Sequence, residues 1–210
     1  NSRRLDSLAL LWRRPEQGNP LFNTPGSLEG RLQLSNDSLR ISDARATLAS
    51  TEHELSALVR FGEQPRLDID ARLGSLSSAQ SAALLAFLPP LDPAGAFGLS
   101  FPEGRLDVIA EGGSLAGQRF ADLSLASRWD GAALTIEGVQ VEDFGGLAIE
   151  GSGLLTGTLA DPVISGRWHV GALANAPALT ALLGSDNGDP VRRAVLGSLP
   201  AELGVVLDRP

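Results

Sequence analysis

Residues 66–73 read RLDIDARL, in which Leu67, Ile69, Ala71 and Leu73 alternate strictly with Arg66, Asp68, Asp70 and Arg72. Successive side chains of a β-strand point to opposite faces, so this segment predicts a strand with one dry face and one wet face. An amphipathic helix would need apolar residues three and four apart, which this spacing does not supply. The same alternation recurs along the chain. Leu32 and Leu34 share a side of 31–35, Leu39 and Ile41 a side of 38–42, and Leu55, Ala57, Val59 and Phe61 a side of 54–61, with a weaker run at 44–49. Further on, Leu106 and Val108 share a side of 105–111, and Leu123 and Leu125 a side of 119–129. Leu134 and Ile136 do so in 133–141, Leu147 and Ile149 in 147–158, and 163–170 adds a last strand before the C-terminal region. Gly112-Gly113, Asp130-Gly131, Gly145-Gly146 and Asp161-Pro162 stand between these runs as turn signals, Asp-Gly being a strong hairpin mark. One-sided strands of this kind belong to antiparallel sheets with one solvated face. The predicted fold is therefore mainly β: an antiparallel, strongly curved amphipathic sheet, its many in-strand glycines permitting the bends.

Two stretches break the alternation with helical spacing. Residues 75–88 predict a helix capped by Ser77 or Ser78, striped by Leu84, Leu85 and Leu88, and stopped by Pro89-Pro90. Residues 176–183 predict a second. Short helices are also expected over 1–12, with Leu5, Leu8, Leu11 and Trp12, and from Pro190 to Leu196, and a final strand over 202–208. The two main helices end stretches that resemble each other. Residues 39–88 align with 134–183, Leu39 and Ile41 matching Leu134 and Ile136, Pro65 matching Pro162, and Leu73 matching Val170. A recurrence of this length predicts two β units. The expected organisation is a short helix and linker over 1–30, a first β repeat ending in a helix over 31–91, and a linker over 92–103. A second β repeat ending in a helix follows over 104–185, then a short helix and the start of a further strand over 186–210.

Chemistry is harder to place. There is no Cys, which removes disulfides and thiolate metal sites. A net charge of −8, with the basic residues scattered, argues against a nucleic-acid surface. His53 and His169 are isolated and read as structural or surface residues. Ser114, in GGSLA, sits between strands and not at the strand-to-helix turn that a nucleophile elbow requires. Gly151, Gly153 and Gly157 lie inside a strand with no following helix or Lys, so they read as small residues in a bent strand. Asp186, Asn187 and Asp189 read as a turn lacking calcium-loop spacing, and Asp68 and Asp70 as part of a solvated face with Arg66 and Arg72. No enzyme, cofactor or metal is expected. No apolar run reaches the roughly 18–20 residues of a membrane helix. The absence of Met and the strand-like C-terminus are expected of a segment from a longer protein.

What remains is one long apolar surface, either a sealed core or a groove held open for a ligand. Its candidate lining is Leu67, Ile69, Leu106, Val108, Leu123, Leu125, Leu134, Ile136, Leu147 and Ile149. Short amphipathic strands repeated as LxLxxxxxxLxIEG, the Gly-Gly turn in DFGGLAIEG, and Pro-led strands such as PVISGRW resemble AsmA-like proteins, a group that includes TamB and related bridge-like lipid transport proteins. The resemblance covers about two thirds of the chain. It implies a periplasmic segment of a Gram-negative envelope protein, anchored in the inner membrane by a part absent here. Its partner would be phospholipid or another acyl lipid, and its role lipid transport or outer-membrane maintenance. About ten strands side by side would give a trough of roughly 50 Å. The alternative is a structural β-repeat that contacts envelope proteins and carries no lipid.

Overall fold

A computed structural model describes residues 26–48, 50–85, 103–115, 117–130, 133–157, 162–173, 176–182 and 201–207. Twelve strands and two helices occur among them. The first half holds β1 (Gly26–Leu34), β2 (Ser38–Leu48), β3 (Thr51–Arg60), β4 (Arg66–Leu73) and helix α1 (Ser78–Leu85). The second half holds β5 (Glu103–Ala110), β6 (Gly113–Leu115), β7 (Gln118–Phe120), β8 (Asp122–Asp130), β9 (Ala133–Phe144), β10 (Leu147–Gly157), β11 (Pro162–Ala172), α2 (Pro177–Leu182) and β12 (Ala201–Leu207). The helices expected at 1–12 and 190–196, and the turn at 186–190, lie outside the described residues.

Ten strands form one sheet in the order β1-β2-β3-β4-β5-β8-β9-β10-β11-β12, and β6 pairs with β7 as a separate hairpin. At about 4.8 Å per step, nine steps span about 43 Å. The expected all-antiparallel pairing fails at one seam: β4 and β5 run parallel, from Arg66 opposite Glu103 to Leu73 opposite Ala110. Parallel neighbours need a crossover, and here the chain leaves β4 through α1 before it returns. The sheet is therefore mixed. It is also open and not strongly curled, contrary to the curvature expected from its glycines. Gly104, Gly151 and Gly153 admit close neighbours from adjacent strands.

The β4–β5 seam joins the two expected β units into one sheet. The order strand, strand, strand, helix does occur twice, as β2–β4 with α1 and as β9–β11 with α2. The surroundings differ, since β4 meets a parallel neighbour while β11 meets β12 antiparallel. Two repeated units are not shown by this architecture.

Local sequence explains the ends of the elements. Gly145 and Gly146 have φ of 55° and 88°, the two positive angles of a tight hairpin turn, and Asp143 Oδ1 accepts a hydrogen bond from Gly146 N at 3.0 Å. Ser77 caps α1: its Oγ accepts from Gln80 N at 3.3 Å, and Gln80 Oε1 accepts from Ser77 N at 2.8 Å, a reciprocal capping box. In β2 the extra residue of a bulge falls between Ile41 and Ala44, where Asp43 has φ of 52°. The run read as one strand over 119–129 breaks at Ala121, because Gln118–Phe120 turns back to pair with Gly113–Leu115.

Both helices and the β6–β7 hairpin sit at the same end of the sheet. Ala178 N donates to Gly145 O at 3.0 Å, holding α2 against the β9–β10 turn, and Ser78 Oγ donates to Ser114 Oγ at 2.7 Å, tying α1 to β6. Leu76, Ala110, Phe120 and Val141 form the core beneath the hairpin. Leu147, Ala172, Ala176 and Ala178 form the core beneath α2.

Candidate functional site

Registers place the apolar sets of the nine strands β1–β5 and β8–β11 on one face, in rows that cross the sheet. One row runs Leu34, Leu39, Val59, Leu67, Gly104, Trp129, Leu134, Leu155, Ile164. The next runs Leu32, Ile41, Ala57, Ile69, Leu106, Ser127, Ile136, Gly153, Gly166. Val108 faces Leu125 in the third row and Leu123 faces Val141 in the fourth, where Ile149 follows, with Leu147 beyond it toward the helical end. All ten side chains named from the sequence thus lie on a single face. Their surroundings differ. Leu123 and Ile149 pack around the hairpin core, and Leu147 is buried beneath α2. Leu67, Ile69, Leu106, Val108, Leu125 and Leu134 belong to a cluster made only of strand side chains, centred on Trp129. Ile136 is half-buried. Exposure rises toward the flanks of the first two rows, to 72% at Leu34, 66% at Leu32 and 43% at Ile164.

Glycine and tryptophan organise this face. The Trp129 indole, 6% exposed, lies over Gly104 of the neighbouring strand and against Leu67 and Leu106. A Cβ on Gly104 would collide with the ring and with the Leu67 carbonyl oxygen. The arrangement recurs at Gly151, whose Cβ would come within 2.6 Å of the Trp168 ring. Gly153 stands opposite Gly166 and abuts the Ser165 carbonyl oxygen, so no side chain fills the second row across β10 and β11. Ser127, fully buried in that row, donates its Oγ to Leu106 O at 3.0 Å, which removes its cost as a polar group on an apolar face. In the sequence Trp168 is visible only as the last residue of PVISGRW and Trp129 only as the residue before Asp130-Gly131, and the glycine each covers is identified only by register.

The opposite face is charged and self-paired. Arg66 Nε lies 2.8 Å from Asp68 Oδ1, Arg105 Nε 2.7 Å from Asp107 Oδ2, and Arg128 Nη1 3.4 Å from Glu137 Oε1. The Asp107 hydrogen bond also raises the Arg105 pKa above its ordinary value. Pairs this exposed contribute little stability, because water screens them. A shallow hollow of about 810 Å³ on this side is lined by Glu137, Gln140, Glu150, Arg167 and His169 among others, with charges of both signs. Among the described residues no group of His, Asp and Glu could hold a metal ion, and no helix is long and apolar enough to cross a membrane.

His53 is a second buried polar residue on the apolar face. It lies between Ala46 and Leu73 in register, is 4% exposed, and neither ring nitrogen has a hydrogen-bond partner. Burial depresses its pKa below the usual 6.5. The unfolded chain then binds the proton more readily than the folded one. Stability is full above pH 6.5 and falls as the pH drops from there through the folded-state pKa. His53→Leu should flatten this acid slope in urea titrations at pH 5 to 8, with its largest gain at pH 5. An unchanged slope would place the acid sensitivity elsewhere.

Comparison with known protein families, curated proteins and solved structures finds no match to this chain.

Proposed function

We propose that the apolar face binds the acyl chains of phospholipid, as one segment of a longer lipid-carrying surface in the bacterial envelope. The observation that carries this reading is the run of mostly apolar rows across the nine strands β1–β5 and β8–β11, with the described helices and hairpin gathered at one end of them. Removing a 16-carbon chain from water is worth roughly 12 kcal/mol at about 0.8 kcal/mol per methylene. A strip of unspecific apolar contact supplies that without a dedicated anchoring residue. The resemblance to AsmA-like proteins supports a periplasmic location, anchorage in the inner membrane through another part of the protein, and a duplicated ribbon as the way to lengthen the surface.

Protein purified from membranes in mild detergent and analysed by native mass spectrometry should carry phospholipid. Lipid-free protein that also fails to take up phospholipid from vesicles would exclude this function. A second reading draws on the burial of Leu67, Leu106 and Trp129, at 9%, 7% and 6% exposure. In it the face is a sealed core, and the sheet serves as a structural module that contacts other envelope proteins.

A further inference from the structure

The edge of the sheet carries a self-complementary pattern. Among the described residues β1 pairs only with β2, so its other side is an unpaired edge nine residues long. Unpaired edges of soluble sheets are usually blunted by Lys, Pro or a bulge. The strand GSLEGRLQL has no Lys or Pro, and the bulge at this position takes its extra residue from β2, leaving β1 regular. Leu32 and Leu34 are among the most exposed large apolar side chains of the described chain.

Gly30 lies at the centre of the strand. A second β1 laid antiparallel about a two-fold axis through Gly30 brings Leu32 opposite Leu28, Leu34 opposite Gly26, and Glu29 opposite Arg31, each pairing occurring twice. The leucines meet on the apolar face and the two opposite-charge pairs on the polar face, because side chains alternate between faces. Among the described residues Arg31 makes an exposed contact of 3.8 Å to Asp43. We infer that β1 is a docking strand for a second copy of this chain, and that the isologous pair joins two ten-stranded sheets into one. This inference does not depend on lipid binding, and lipid-free protein would still show it.

Sedimentation equilibrium of the 210-residue chain should show a concentration-dependent monomer–dimer transition. Glu29→Arg places Arg opposite Arg, and Arg31→Glu places Glu opposite Glu. Each variant alone should therefore weaken dimerisation about tenfold or more. An equimolar mixture of the two single variants restores every opposite-charge pair across the seam and should associate as tightly as the unaltered chain. Leu32→Lys should abolish association in either context. A chain monomeric at all concentrations, or a dimer indifferent to these changes, would overturn the proposal. So would protection of the outward amides of 26–34 from hydrogen exchange in a dilute monomer, which would assign the edge to another segment of the same chain.

Discussion

Trp129→Ala should lower the unfolding free energy by about 3–5 kcal/mol, a large part of what a domain of this kind possesses. The indole is the central side chain of the strand-only cluster and the roof over Gly104, and it packs on Leu67 and Leu106. Removing it leaves a cavity that a sheet surface cannot close, since β4, β5 and β8 are fixed by their ladders. The same contact can be broken from below. Gly104→Ala forces a methyl group into the ring and the Leu67 carbonyl oxygen, and overpacking of this kind costs about 1–3 kcal/mol. Adding Trp129→Ala to Gly104→Ala should relieve only part of that cost, because the Leu67 backbone remains. Urea-denaturation midpoints of the three variants check this. A loss below about 1 kcal/mol for Trp129→Ala would show that the ring is peripheral.

Ile136→Asp separates an open face from a sealed one. Ile136 stands between Ser127 and Gly153 in its row, so its immediate neighbours are small, and it is half-buried. On an open face the carboxylate stays hydrated and the fold survives, with a circular dichroism spectrum like that of the unaltered chain. Phospholipid retention should then fall at least about tenfold, because an acyl chain laid there would strip water from a charge. Inside a sealed core the same carboxylate would be buried without a partner and the sheet would unfold. The two outcomes are distinguished by one spectrum and one lipid assay.

The elements were legible in the sequence wherever a single strand carried its own evidence. The segment RLDIDARL declares both of its faces, and the β9–β10 turn declares itself through paired glycines. The α1 cap was readable as Ser77 or Ser78, and Gln80 three residues beyond Ser77 settles it. Relations between distant segments were not legible. The parallel seam of β4 and β5 is fixed by a long crossover, and nothing local in either strand distinguishes a parallel neighbour from an antiparallel one. The glycines misled for the same reason. Gly151 read as a small residue in a bent strand, yet it is small because Trp168 of the neighbouring strand lies on it, as Trp129 lies on Gly104. The candidate face itself was readable as a set of residues, because alternation assigns each to a side. The partition into parts beneath the helices and a part built of strands alone depends on where the helices dock, which the sequence does not state.

A photo-crosslinking residue placed at position 136, with the same probe at Gln140 on the opposite face of β9 as the control, tests the lipid-binding account most directly. The account predicts that illumination of protein loaded with phospholipid yields acyl-chain adducts at position 136 and few or none at position 140. Equal labelling at both positions, or none at 136 in protein that remains folded, would contradict it.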